Sequence, residues 1–198
     1  MKIFMHYCLW RLGFDEPKTF YSQEACELLS KYAKGQKSLV ELGCWEGVNT
    51  SRIRAAMAPE GTLYAVDPYL PGRLGISWVQ KVAHRQVERI KNGNVIWMRM
   101  SALEGAAVFM REGKKADFIF SDCLNTYEGM SETWQAWRPL LNYGGIYIIA
   151  NSQTCVERNI VGAGSIRFTA NVVMNDSSFQ CLEIKETFTV LKKIRHDA

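Results

Sequence analysis

The chain has 198 residues, of which 47% are hydrophobic and 22% charged, with a formal net charge of +4. Totals of this kind describe one ordinary globular domain with room for a sizeable core, and they exclude a disordered chain. So small a charge, without a dense basic stripe, is not the footprint of a nucleic-acid binder, and no apolar run approaches the length of a membrane span.

Residues 1–21 read as an aromatic-rich, unpatterned arm with a turn signal at Asp15-Glu16-Pro17-Lys18. The arm opens with MKIFMHYCLWRLGF, an apolar stretch interrupted by His6 and Arg11 and lacking a small-residue cleavage site, so it is not a signal peptide pattern. The six cysteines (Cys8, Cys26, Cys44, Cys123, Cys155, Cys181) form no C-x-x-C pair and no metal-ligand spacing. Free thiols in a reducing, cytoplasmic setting are expected.

Ser22 can cap a helix that runs to about Tyr32 and ends at Gly35, with Cys26, Leu28, Leu29 and Tyr32 as its apolar stripe. The pattern then switches to alternating short apolar runs and helical segments. SLVEL is a strand, VNTSRIRAAMA a helix that stops near Pro59-Glu60-Gly61, and TLYAVD a second strand. Val79, Ala83, Val87 and Ile90 mark a helix through about Lys91, followed by the strand NVIWMRM and the helix ALEGAAVFMRE. ADFIFSD is a strand, Met130, Trp134, Trp137 and Leu141 line one helical stripe, and GGIYIIAN is a fifth strand. FQCLEI and TFTVLKKI are separated only by Lys185-Glu186, too close for a helical crossover, and read as an antiparallel pair. The order implies a doubly wound α/β domain spanning 1–198, with a mostly parallel sheet and an antiparallel edge. Its parts are the arm, a core over 22–152, and the C-terminal strand pair with its connections over 153–198.

In such sheets ligands bind at the carboxyl ends of the strands, at the switch point beside the first strand. ELGCWEG lies there, and Gly43 and Gly47 let the backbone approach a ligand closely. It is not G-x-G-x-x-G, because Trp45 fills the second glycine position, where a pyrophosphate needs bare backbone. No G-K-[ST] follows, so it is not a P-loop. The acid at Glu41 suits an ammonium better than a phosphate. Asp67, one βα unit later, can accept from the two hydroxyls of a ribose. The pocket asks for a nucleoside with a cationic group and no phosphates, a description that S-adenosyl-L-methionine meets.

The segments VELGCWEGVNTS, AVDPY, SALEGA, FIFSDCLNTYEG and LLNYGGIYIIANS, in this order, resemble the class I S-adenosylmethionine-dependent methyltransferases. Within them the chain is most similar to the small O-methyltransferases of the catechol and caffeoyl-coenzyme A type and their bacterial relatives. The resemblance covers about residues 22–152 and implies a Rossmann-like fold of seven strands with the last antiparallel. It implies that Glu41, Gly43 and Gly47 line the methionine end, with Asn49 near the carboxylate, and that Asp67 holds the ribose. Ser101 and Ala102 would flank the adenine, and Asp122 would sit under the sulfonium and the acceptor. A bulky residue in the glycine turn is usual in that branch, which leaves Trp45 either lining the pocket or packing in the core.

The sequence departs from the metal-dependent members of that family. Asn151 and Ser152 stand where those have an Asp-Asn pair, and Asn125 replaces a basic residue. One carboxylate, Asp122, is a weak donor set for Mg²⁺, so no strongly held metal is expected. The expected activity is O-methylation of a small hydroxylated acceptor, with Asp122, Asn125 and Asn151 as the catalytic candidates. The acceptor residues are expected from the arm, the loop 69–75 and the segment after Asn151. The aromatic arm also offers a surface to a second copy, for a homodimer. The alternatives are an RNA methyltransferase and a cofactor-binding regulatory protein that has lost turnover. His6, His84 and His196 read as ordinary surface histidines, Trp134 and Trp137 as core, and the terminal LKKIRHD as a solvated end.

Overall fold

The computed structural model describes residues 2–72, 75–155, 160 and 162–195. His196, the end of the LKKIRHD run, and residues 73 and 74 of the 69–75 loop therefore lie outside the described residues. Seven strands form one sheet in the order β3-β2-β1-β4-β5-β7-β6. These are β1 (Ser38–Leu42), β2 (Thr62–Val66), β3 (Asn94–Met98), β4 (Ala116–Ser121), β5 (Leu141–Ile149), β6 (Phe179–Lys185) and β7 (Phe188–Lys193). The pairs β1/β2, β2/β3, β1/β4 and β4/β5 are parallel, whereas β7 runs antiparallel to both β5 and β6. The chain reverses direction across the sheet between β1 and β4, so their carboxyl ends open the crevice expected from the order of elements.

Alternate residues of each strand face opposite layers of helix. On one side Val40, Leu42, Ile119, Tyr147 and Ile149 pack against α5 (Ala102–Arg111), α6 (Tyr127–Trp137) and α7 (Gly164–Asn171). Trp134 and Trp137 are buried in this layer, and the Trp137 indole N–H donates to the Ala102 carbonyl at 2.8 Å. On the other side Leu39, Leu63, Phe118, Phe120 and Ile148 pack against α2 (Gln23–Ala33) and α3 (Val48–Ala56). A third, smaller cluster joins Ala65 and Tyr69 to Ala83 of α4 (Trp78–Glu88). All six cysteines are free.

The helix caps follow the expected chemistry. Ser22 accepts from the Ala25 N–H, Ser77 from Gln80 and Thr126 from Gly129, each occupying a donor that the first helical turn leaves unpaired. Ser101 and Glu104 form a full capping box at the start of α5.

Three features differ from the sequence reading. The arm is not unpatterned coil: Lys2–Arg11 is the helix α1. Its apolar residues point all round, with Ile3, Phe4, Met5 and Leu9 exposed and Trp10 buried, so no one-sided stripe announces it. The helix α7, inside what read only as a connection, has Ala163 at its N-cap and no side-chain capping bond, so its start carries no sequence signal. The β6/β7 turn sits one residue later than expected, with Lys185 paired to Phe188 and Glu186 at φ 51°.

Candidate active site

The carboxyl ends of β1, β2, β4 and β5 enclose a cavity of about 790 Å³, within the range of small-molecule sites. Each of these strands delivers a predicted residue: Gly43 after β1, Asp67 after β2, Asp122 and Asn125 after β4, and Asn151 after β5. Phe20 and Tyr21 of the arm close one side. Trp45, left open by the sequence, lines the cavity and stacks on Phe20 with centroids 4.6 Å apart and planes 6° from parallel. Asn49 lines a small recess that adjoins it, next to Lys18 and Thr19.

Asp67 has a role the sequence did not show. Its Oδ2 accepts from the Cys44 and Trp45 N–H groups at 2.9 and 3.1 Å, and its Oδ1 from the Tyr69 N–H at 2.8 Å. The carboxylate therefore holds the glycine turn in shape, lines the cavity, and keeps about one of its four acceptor sites unused by these bonds. Gly43, at φ 89°, has a second reason to lack a side chain. A Cβ there would run into the backbone carbonyl of Asp122. Gly47 serves packing more than ligand approach, since its Cβ would stand 2.9 Å from the Ala83 Cα on α4.

Glu41 shares a face of β1 with Leu39 and is fully buried behind the turn. Burial pushes its pKa up to about 8, with the nearby Thr50 hydroxyl offsetting part of the effect and the charge of Asp122 adding to it. Neither carboxyl oxygen has a hydrogen bond of standard geometry. In the free protein Glu41 is thus a neutral acid at neutral pH, not the ready carboxylate expected for an ammonium. Ser101 and Ala102 start α5 and are not among the residues that line the cavity; the Ser101 N–H and hydroxyl are both bonded to Glu104.

The three catalytic candidates come together. The Asn151 Nδ2 donates to Asp122 Oδ1 at 3.2 Å and to Asn125 Oδ1 at 3.1 Å. That amide orientation is the one the network requires, because an oxygen in its place would face two other oxygens. Asn151 sits at φ 52°, in the left-handed region that Asn tolerates. Ser152, its partner in the sequence reading, turns away: its hydroxyl bonds Thr189 at 2.8 Å and the Ile149 and Thr187 carbonyls. Ser165 of α7, missed by the sequence reading, supports the cluster from behind. Its hydroxyl donates to the Asn151 carbonyl at 2.7 Å and its N–H to the Asn125 carbonyl at 2.9 Å.

This donor set does not fit Mg²⁺. It offers one carboxylate, and an amide N–H₂ points into the space between the two side-chain oxygens. Among the described residues no group of three or more His, Cys, Asp or Glu side chains is placed to hold a metal ion.

The arm is latched to the glycine turn by His6. Its Nδ1 lies 2.6 Å from Asp15 Oδ2 and its Nε2 3.0 Å from Oε2 of the buried Glu46, which also accepts the Lys18 N–H at 2.6 Å. Burial of the ring disfavours its charge, but the bonds and charges of Asp15 and Glu46 outweigh this and raise the pKa. His6 faces this latch and not the cavity, so it is not placed as a base. His84 lies flat on Trp97, with centroids 4.0 Å apart, and lines a different cleft.

With the geometry described, the sequence was compared with known families and structures. Residues 40–152 match the model of a methyltransferase domain. The chain belongs to the methyltransferase domain family. A search of curated proteins returns no match. Among solved structures, this methyltransferase domain resembles the O-methyltransferase TomG from Streptomyces achromogenes, described in complex with SAM. The two share 17% identity and a TM-score of 0.69 over 98% of this chain and 91% of that one. An O-methyltransferase from Bacillus cereus in complex with SAH shares 15% identity and a TM-score of 0.61 over 98% of this chain and 89% of that one. The N-methyltransferase NodS from Bradyrhizobium japonicum shares 14% identity and a TM-score of 0.59 over 87% and 94%. At these identities the likeness shows the fold, which carries methyl transfer to oxygen and to nitrogen alike.

Two outcomes follow from the geometry of this methyltransferase domain. Asp67→Ala leaves two backbone N–H groups of the glycine turn and that of Tyr69 without their acceptor. Urea denaturation without ligand is expected to show a loss of about 2 kcal/mol; wild-type stability would mean that the carboxylate does not hold the turn. For the latch, the docked arm binds the His6 proton more tightly than the free side chain does. The stabilisation is therefore full below a pH of about 6.5 and is lost as the pH rises through the raised value. The ratio of proteolysis rates at the arm, His6→Ala over wild type, is expected to fall towards one across that window. A ratio that does not change with pH would exclude His6 as the latch.

Proposed function

We propose that the chain, acting as one domain over residues 1–198, transfers a methyl group from S-adenosylmethionine to an oxygen of a small hydroxylated molecule. The observation that carries this reading is the Asp122–Asn151–Asn125 cluster, standing in the same cavity as Gly43 and Asp67. The O-methyltransferases of the same fold support it.

The residues suit such a donor. Asp67 keeps about one acceptor site for a ribose hydroxyl, and the bare backbone at Gly43 admits the chain that leads to the sulfur. An ammonium reaching the turn would favour the ionised form of Glu41, restoring the carboxylate that the free protein keeps neutral. When bound, the donor supplies an electrophilic methyl group on a sulfonium. The protein's own task is then to align an acceptor oxygen and to remove its proton. The Asp122 carboxylate, held at Oδ1 by Asn151, takes the hydroxyl proton, while the Asn125 amide orients the acceptor. Phe20, Tyr21 and Trp45 give the acceptor side an apolar, aromatic wall suited to a flat ring.

Asp122→Asn keeps the shape and removes the charge. Assayed with labelled donor and a panel of hydroxylated acceptors, it is expected to lower kcat by about two orders of magnitude while donor affinity stays near wild type. Asn151→Ala is expected to cost less, since a neutral hydrogen bond contributes about 0.5–1.5 kcal/mol. Equal kcat in wild type and Asp122→Asn would remove the carboxylate from the mechanism. Absence of turnover with donor affinity intact would instead indicate a binding protein.

The amide-rich cluster also predicts that turnover survives EDTA, because no strong divalent site is formed. Activity lost on chelation and restored by Mg²⁺ would overturn that reading of Asn151.

A further inference from the structure

A second cleft, of about 520 Å³, lies between α1, α4 and the end of β3, and none of the residues that line it lines the methyl-transfer cavity. Lys81, Arg85 and Arg99 line it, opposed by the one carboxylate of Glu88. We propose that this cleft binds a small molecule through a doubly charged phosphate-type anion.

The spacing of the cations is the first support. Lys81 and Arg85 are four residues apart on one face of α4, an arrangement that costs an isolated helix a few tenths of a kcal/mol. Glu88 stands three residues after Arg85, within helical reach, yet among the described residues none of the three cations is in an ion pair. Three positive charges against one negative leave a local excess of two, which is the charge of a phosphate monoester near neutral pH.

The second support is hydrogen-bonding capacity. Arg99 donates through Nε to the Pro68 carbonyl at 3.4 Å and through Nη2 to the Tyr69 carbonyl at 3.1 Å. Two of its five N–H donors are thereby used, which fixes the guanidinium and leaves the rest for a ligand. His84 is fixed flat against Trp97, and burial lowers its pKa, so near neutral pH it adds a donor without a charge. Tyr7 of α1, packed on Trp78 at 4.9 Å between centroids, forms the opposite wall. The three cations are exposed side chains gathered at one open cleft and not spread along a stripe, which suits a compact ligand that reaches them from solvent.

One hydrogen bond links the anion site to the donor cavity: Arg99 holds the carbonyl of Pro68, which lines that cavity. The two ligands are nonetheless separate, and the proposal does not depend on methyl transfer.

The test uses inorganic pyrophosphate as the probe, titrated into the intact chain at low ionic strength and followed by calorimetry. Saturable 1:1 binding is expected. The exposed pair changed together, Lys81→Gln and Arg85→Gln, should weaken it by about tenfold or more, which is 1.4 kcal/mol, and Glu88→Gln should tighten it. Demethylated cofactor should bind the double variant as it binds wild type, which also reports that the variant is folded. Absence of binding at millimolar pyrophosphate, or undiminished binding by the double variant, would overturn the proposal. Displacement of pyrophosphate by the demethylated cofactor would overturn it too, by placing the anion in the methyl-transfer cavity. Failure of the demethylated cofactor to bind, with pyrophosphate binding intact, would count against the methyltransferase reading alone.

Discussion

The architecture of the active site depends on one carboxylate and the three backbone N–H groups it gathers. Asp67, at the end of β2, draws the Cys44–Trp45 turn of the neighbouring strand towards it and fixes the first residues of its own loop. A glycine-rich turn has many conformations to lose, and its own backbone supplies only the Gly47 N–H to Cys44 carbonyl bond at 2.9 Å to select one. Charge-assisted bonds from outside the turn make that selection. The same constraint brings Gly43 against the Asp122 carbonyl, so the donor side and the acceptor side of the cavity share a backbone contact. Neither side can be displaced without moving the other.

Around that contact the structure surrounds a small set of polar groups with apolar layers. The amide cluster at Asn151 is held from behind by the buried Ser165, and Ser152 spends its hydroxyl on β7. These bonds fix the side-chain positions, although the Asn151 Oδ1 is buried without a hydrogen bond of its own. Glu41 goes further: it is a buried acid with both oxygens short of a good partner, kept neutral by its surroundings. Buried unsatisfied groups of this sort cluster at functional sites, and this one lies directly behind the glycine turn.

Much of this was legible in the sequence, for identifiable reasons. Strands of the parallel core are buried on both faces and appear as continuous apolar runs, so β1, β2, β4 and β5 were plain. The strand-end residues Gly43, Asp67 and Asp122 followed from topology, since carboxyl ends of neighbouring strands meet, whereas Asn151 came from the family resemblance alone. What stayed hidden depended on tertiary context. α1 shows no amphipathic period because its exposed side carries Ile3, Met5 and Leu9, and α7 has no capping side chain. Ser165 could not be chosen from sequence, because its partners Asn125 and Asn151 are reached only through folding. Nor could the neutral state of Glu41 be read, because its pKa is set by burial and not by neighbours in the chain.

The arm that closes the cavity is built almost wholly on distant partners. His6 meets Glu46 across 40 positions, while Tyr7 rests on Trp78 and Trp10 lies under Arg89. Contacts so far apart in the chain form only after the loop between them has been closed, which makes them late in folding. The segment at the start of the chain must therefore wait until β1, α3, β2 and α4 have assembled before it has a surface to dock on. Once docked it rests on few buried side chains, so it belongs to the least stable part of the molecule, and its amides are expected to exchange with solvent ahead of those in the sheet. The exposed Phe20, held by its stack on Trp45, is thus the part of the aromatic wall completed last and opened first, while Tyr21 stays anchored on Phe120 and Phe188.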